Sequence, residues 1–369
     1  MRPASVTSLE LAPIDFDFHG LARVRLTQAS SADARAVARQ LGFPGVAAVG
    51  PADVVVRYVD QYPGVGSARP VGLEDAAVAN DAFLLVLRRR GRLFHVQVPF
   101  ERIGEGCEIV CERGLGKLPM LIPILNLSLL AKGVVPIHAS AFTYGGVGVL
   151  VTGWSKGGKT ETLLAFMEEG ARYVGDEWVY ISADGARLWG IPISIRIWDW
   201  HLEHAPVVRA RIALRHRIRL GALRAATAMA SAFPGQGSLA RACAGASFVD
   251  LRPGRLFGAD RRESSARFDQ LVFALSDGSP KVRVEPMDPR EVARRMSFSF
   301  LFESQHFMGN YLKFRFAFPG TSSSIVDRVL EVYGERLEAV LVGKPTQALY
   351  HPYPAPIPEL FRALASRLQ

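Results

Sequence analysis

Residues 147–177 read VGVLVTGWSKGGKTETLLAFMEEGARYVGDE. An apolar run meets a glycine-rich loop, the loop opens a segment without early Gly or Pro, and the stretch ends at an acidic pair. Gly153, Gly158, Lys159 and Thr160 complete the pattern G-x-x-x-x-G-K-[ST]. In that pattern glycines let backbone N–H groups turn inward around phosphate oxygens with no Cβ in the way. Val147, Val149, Leu150 and Val151 are strand formers that end at the turn, and Leu163, Leu164 and Met167 recur at helical spacing. The loop is therefore expected between a buried strand and a helix whose N-terminus adds partial positive charge toward an anion. On this reading Gly153, Ser155, Lys156, Gly157, Gly158, Lys159, Thr160 and Glu161 form an ATP site. Lys159 reaches the β and γ phosphates from a solvent-facing position, and the Thr160 hydroxyl sits on Mg2+. The bland alternative is a tight strand-to-helix turn with no ligand.

The rest of the chain sets the scale. Its 369 residues, 49% hydrophobic and 21% charged, suffice for two ordinary domains with real cores. The opening MRPASVTSLELAPIDF lacks a signal-peptide apolar core. The greasiest run, Leu118 to Leu130, contains Pro119 and Pro123 and falls short of the ~18 apolar residues of a membrane span, so a buried helix is expected. Cys107, Cys111 and Cys243 make neither a disulfide framework nor a four-ligand zinc site. Cys107 and Cys111 read as core thiols on one face of a strand, and the expected setting is a reducing cytoplasm. Net charge is +9, and residues 205–267 hold twelve Arg against Asp250, Asp260 and Glu263, so the remainder of the chain nets to zero. Such a segment is either a solvated helical insertion or a dock for an acidic protein or peptide. Little aromatic interleaving argues against nucleic acid.

Residues 1–116 carry strand signals at Leu21–Thr27, Asp53–Tyr58, Phe83–Arg88, Leu93–Val98 and Glu108–Cys111, with a helix at Ser31–Leu41 capped by Ser31 or Asp33 and closed by Gly42. They read as a smaller β-rich α+β scaffold or recognition domain. Residues 117–369 read as the loop-bearing α/β domain. There, strand Val134–Phe142 turns at Gly145 and Gly146, Ala186–Trp200 forms hairpin strands, and a loop lies at Pro234–Gly237. Further strands are expected at Gln270–Leu275, Val282–Val284 and Ala348–Tyr350, with helices from Asp288 or Pro289 to Glu303, over Ile325–Leu341 and over Pro358–Leu368. His138 falls on the strand before the turn, where a lone His is more often packed core than a functional group.

The unit from His138 to Glu177 resembles the C-terminal catalytic domain of HPr kinase/phosphorylase, a P-loop protein serine kinase whose fold is related to phosphoenolpyruvate carboxykinase. Its motifs are a His fifteen residues before the first loop glycine, the GKTET continuation, and an acidic pair sixteen residues beyond the loop hydroxyl. About forty residues match, with looser similarity through IPISIRI and the KPTQALYHPYP tail. The resemblance implies that Asp176 accepts the proton of the acceptor hydroxyl, that Glu177 holds Mg2+ with Thr160, and that His138 and Arg196 stand near the γ-phosphate or the acceptor. Glu177 replaces the family's second Asp, the N-terminal part differs and the Arg-rich insertion is unfamiliar, all of which point away from HPr itself as acceptor. The resembled enzymes assemble as rings, which makes a homo-oligomer an expectation too. The leading function is γ-phosphoryl transfer from ATP to a hydroxyl, Ser above others, of a protein or peptide. An ATP-binding regulator without transfer, or a small-molecule kinase, shares the same loop. Neither the acceptor nor any phosphorylase activity is legible in the residues.

Overall fold

A computed structural model describes residues 12–72, 75–233 and 237–368. They form a mixed α/β protein with two large sheets. The chain divides into two compact units: the part up to Val135 together with Leu301–Tyr333, and Pro136–Phe300 together with Gly334–Gln369.

In the first unit nine strands form one sheet, in the order Val46–Ala47, Ile14–Phe18, Ala22–Thr27, Val54–Val59, Cys107–Glu112, Arg92–Gln97, Ala82–Arg89, Ala76–Ala79, Arg69–Pro70. The helix Ser31–Leu41 bridges the parallel pair Ala22–Thr27 and Val54–Val59, because parallel strands need a crossover. Its cap is Ser30 rather than Ser31 or Asp33: the Ser30 hydroxyl accepts from Asp33 N–H at 3.2 Å and donates to the Asp33 carboxylate at 2.5 Å. The hydroxyl is thereby both acceptor and donor, a side-chain N-cap of the usual kind. Gly42 closes the helix at φ 77, its N–H on Ala38 O. Cys107 and Cys111 share the buried face of their strand, and burial pushes the Cys107 thiol up to about 12 and Cys111 higher still, so both are inert packing groups.

The break in composition near 116 is not where the units part. The apolar helix Leu121–Ala131 remains with the first unit, packed on Ala22–Thr27 and followed by Lys132, whose amine meets Asp53 at 2.5 Å. The returning helix Gln305–Ala317, unforeseen in the sequence, lays Phe307, Tyr311 and Phe314 around Phe100 at 5.3–5.7 Å.

The second unit's sheet runs Ser265–Arg267, Arg187–Gly190, Trp178–Ile181, Val135–Tyr144, Val147–Thr152, Gln270–Ser276, Thr346–His351, Arg283–Pro286, with Arg172–Gly175 also paired to Val135–Tyr144. Val147–Thr152, Gln270–Ser276 and Thr346–His351 are parallel and in register, Thr152 beside Phe273 and Phe273 beside Ala348. Ligands of α/β sheets gather at the carboxyl ends of such strands. Under the sheet, the helix Lys159–Glu168 buries Leu163, Leu164, Phe166 and Met167 against Phe142, Val149, Val151 and Leu360.

The strand pairing also departs from expectation. Arg187–Gly190 and Ile195–Trp198 do not pair as a hairpin: the first joins Trp178–Ile181, and the second forms a separate ribbon with Phe248–Leu251. Between the ribbon's strands lies the Arg-rich excursion, with helices His201–His204, Pro206–Arg211, Leu214–Ala232 and Gly237–Gly245. Residues 234–236 of the expected loop lie outside the described residues. The ribbon closes the excursion at its base, Asp199 N–H on Ser247 O at 3.0 Å. Among the described residues no helix is long and apolar enough to cross a membrane.

Candidate active site

The loop leaves the end of Val147–Thr152 and enters Lys159–Glu168 directly. Gly153 has φ 154, and a Cβ there would stand 2.3 Å from Ala274 O, so only glycine lets the chain turn over the neighbouring strand. Gly158 caps the helix at φ 99 with no side-chain partner for the first-turn N–H groups. Those N–H groups and the helix dipole suit an anion. Three buried hydroxyls brace the loop: Ser140 donates to Lys159 O at 2.9 Å, Thr152 to His138 O at 3.0 Å and Thr162 to Gly158 O at 2.8 Å.

Lys159 is not solvent-facing. It is 6% exposed, and its ammonium donates to the carbonyls of Gly153 at 3.0 Å and Trp154 at 2.8 Å. A cation this close to loop carbonyls is better bonded to them than left in half-solvated space. Ser155 is half-buried; Lys156, at φ 61, and Trp154 are exposed.

The acidic pair stands across from the helix start. Thr160 Oγ1 donates to the Asp176 carboxylate at 3.2 and 3.4 Å. Asp176 is 3% exposed; burial first, and the neighbouring Glu177 charge second, raise its pKa to about 7. Glu177 sits in the left-handed region at φ 70, an uncommon conformation for a residue with Cβ and one that gathers at functional sites. Its side chain is 48% exposed and meets His138 Nε2 at 3.2 Å. That hydrogen bond leads in holding Glu177 below the usual carboxylate range. The pair thus splits into one member poised near neutrality and one kept ionised. The His138 ring lies 5.8 Å from Trp178, which meets Phe300 edge-on at 5.9 Å.

Thr160, Asp176, Glu177, His138 and the loop are therefore together. Arg196 is held in the ribbon, Nε on Asp250 at 3.1 Å and guanidinium 4.0 Å over Phe248, with its charge reaching Glu177. Glu161 bonds His201 Nε2 at 3.1 Å, and His201 Nδ1 accepts from Trp198 N–H at 3.3 Å. Since Nδ1 accepts, Nε2 carries the proton it gives to Glu161. His201 and Glu168, whose carboxylate takes the N–H groups of Val207 and Val208 at 2.9 and 3.1 Å, were not singled out by sequence. They tie the loop's helix to the start of the excursion.

Thr160 and Glu177, beside the loop, fit a magnesium ion. The Thr160 hydroxyl and the ionised Glu177 carboxylate are the hard oxygen donors. Among the described residues no three His, Cys, Asp or Glu side chains form a group that could hold a metal ion.

No family model matches the chain, and no curated protein matches it. Solved structures to which the chain is similar include the HPr(Ser) kinase/phosphatase from Coxiella burnetii, 15% identical over 41% of this chain and 77% of that one, with a TM-score of 0.22. At that score the likeness carries no weight for fold or activity.

Proposed function

We propose that the chain is an ATP-dependent phosphotransferase of the HPr kinase-like type, moving the γ-phosphoryl group to a hydroxyl, Ser above others, of a protein or peptide. The observation that carries it is the convergence of the glycine loop, Thr160 and Asp176 at the ends of the parallel strands, with Thr160 Oγ1 3.2 Å from Asp176. Loop N–H groups and Lys159, once drawn off the loop carbonyls, bind the β and γ phosphates. Thr160 and Glu177 would hold the Mg2+, which neutralises charge on the phosphates. Asp176 takes the acceptor's proton, a role suited to a carboxyl near neutrality. His138 keeps Glu177 ionised and in place, and Arg196 adds positive charge from the ribbon.

The acceptor side fits an acidic peptide. Arg209, Arg215 and Arg217 are exposed and have no ion-pair partner among the described residues, whereas Arg224 is held by Asp199 and Glu203 at 2.6 and 2.8 Å and so offers less.

The test uses γ-labelled ATP, Mg2+ and Ser-containing acidic peptides. Asp176→Asn should keep ATP affinity within a few-fold and lose transfer by ~10²–10⁴. Transfer at the wild-type rate by a folded Asp176→Asn protein would place the base elsewhere. ATP binding with no label reaching any hydroxyl would leave a nucleotide-binding regulator.

A further inference from the structure

His351 ends the strand Thr346–His351, far from the loop in sequence, and its ring is 0% exposed. Nε2 lies 2.9 Å from Gly157 O and Nδ1 2.8 Å from Pro352 O. A Cβ on Gly158 would stand 2.2 Å from that Nε2, so the ring fills the space directly against the loop's last glycine. Glu161, a charged group near this ring, is bonded by His201 at 3.1 Å, and against its burial that hydrogen bond holds its carboxyl below the usual range.

Carbonyl oxygens only accept and a neutral imidazole carries one N–H, so the Gly157 contact is a hydrogen bond in the tautomer with its proton on Nε2, where Nδ1 makes none with Pro352 O. The peptide between Gly157 and Gly158 is planar and trans, so its C=O and N–H point in opposite directions. Fixing Gly157 C=O on the ring therefore fixes Gly158 N–H away from it. Two glycines in succession have no side chains to choose that orientation for themselves. We propose that His351 is a positioning residue of the phosphate loop: by anchoring the Gly157 carbonyl it aims the Gly158 N–H at the phosphates of a bound nucleoside triphosphate. The inference rests on the reading of the loop as an ATP site and deepens it.

Side-chain amides separate this role from mere filling. In His351→Gln the amide nitrogen falls near the position of Nε2 and can donate to Gly157; in His351→Asn it falls near Nδ1 and cannot. Mg-ATP, ADP and adenosine affinities are measured for wild type, both variants and His351→Phe by tryptophan fluorescence, Trp154 in the loop being 48% exposed. Thermal unfolding is followed in parallel. Asn and Phe should bind ATP and ADP ~10-fold more weakly, about 1.4 kcal/mol. Gln should stay within about threefold of wild type, and adenosine, which lacks phosphates, should be unaffected in all. Should Phe not fold, the Gln and Asn pair decides alone. Asn binding as tightly as Gln, or both weakened alike, overturns the positioning role. Wild-type protein that binds no ATP at all overturns the loop reading beneath it.

Discussion

Lys159 shows why a familiar motif still needs its surroundings. The sequence supplies its place in the pattern, but the two carbonyls that hold its ammonium belong to a loop conformation no local rule announces. Lys159→Ala should abolish Mg-ATP binding and also lower stability by ~1–3 kcal/mol, since buried loop carbonyls lose their donor. Unchanged ATP affinity in a folded variant, by calorimetry, would sink the phosphate-loop assignment. Asp176 gives a prediction with a sign. Its carboxyl goes from an ordinary 3.8 to about 7 in the folded protein, so the folded state holds the proton more tightly than the unfolded one. Stability from this group is greatest below about 4, declines as pH rises to about 7 and is level above. Glu177, shifted down, works the other way, its contribution being lost as pH falls. Asp176→Asn removes the first effect, so its Tm advantage over wild type, measured in EDTA, should grow between pH 5 and pH 8. A shrinking advantage would mean that the carboxylate is stabilised as an anion.

At the level of elements, what was legible tracked distance along the chain. The strand, glycine loop and helix of 147–168 read directly, because each signal lies beside the next. So did the five central strands of the first sheet and Ser31–Leu41, where only the capping residue moved by one. The ribbon did not, because the partner of Ile195–Trp198 arrives after the whole Arg-rich excursion. Local alternation near Pro192 mimicked a hairpin. His351 was invisible for the same reason: its chemistry depends on a parallel strand that comes 194 residues after Gly157. The excursion's first helices are fixed by Glu168, which caps Pro206–Arg211. Glu168→Ala should cost ~1 kcal/mol, the usual value of a lost N-terminal cap. Hydrogen exchange should speed up at Val207 and Val208 but not in the sheet strand Gln270–Ser276.

For the whole molecule, charge and chain order matter most. The excursion's positive charge is only partly answered by its own acids, so Arg209→Gln, Arg215→Gln and Arg217→Gln combined should weaken binding of an acidic peptide and flatten its dependence on salt. Identical binding of wild type and triple variant from 50 to 300 mM salt, values chosen to span roughly two-fold in Debye length, would make the segment a solvated surface. The first unit also has an unusual timetable. Phe314, which lies 5.3 Å from Phe100, follows it by 214 residues. At roughly 5–20 residues per second of synthesis, the emerging N-terminal sheet waits on the order of 10–40 s with its aromatic face bare. A nascent chain of this design should call on holding chaperones, and a fragment stopped at Val135 should bind more hydrophobic dye than the full chain.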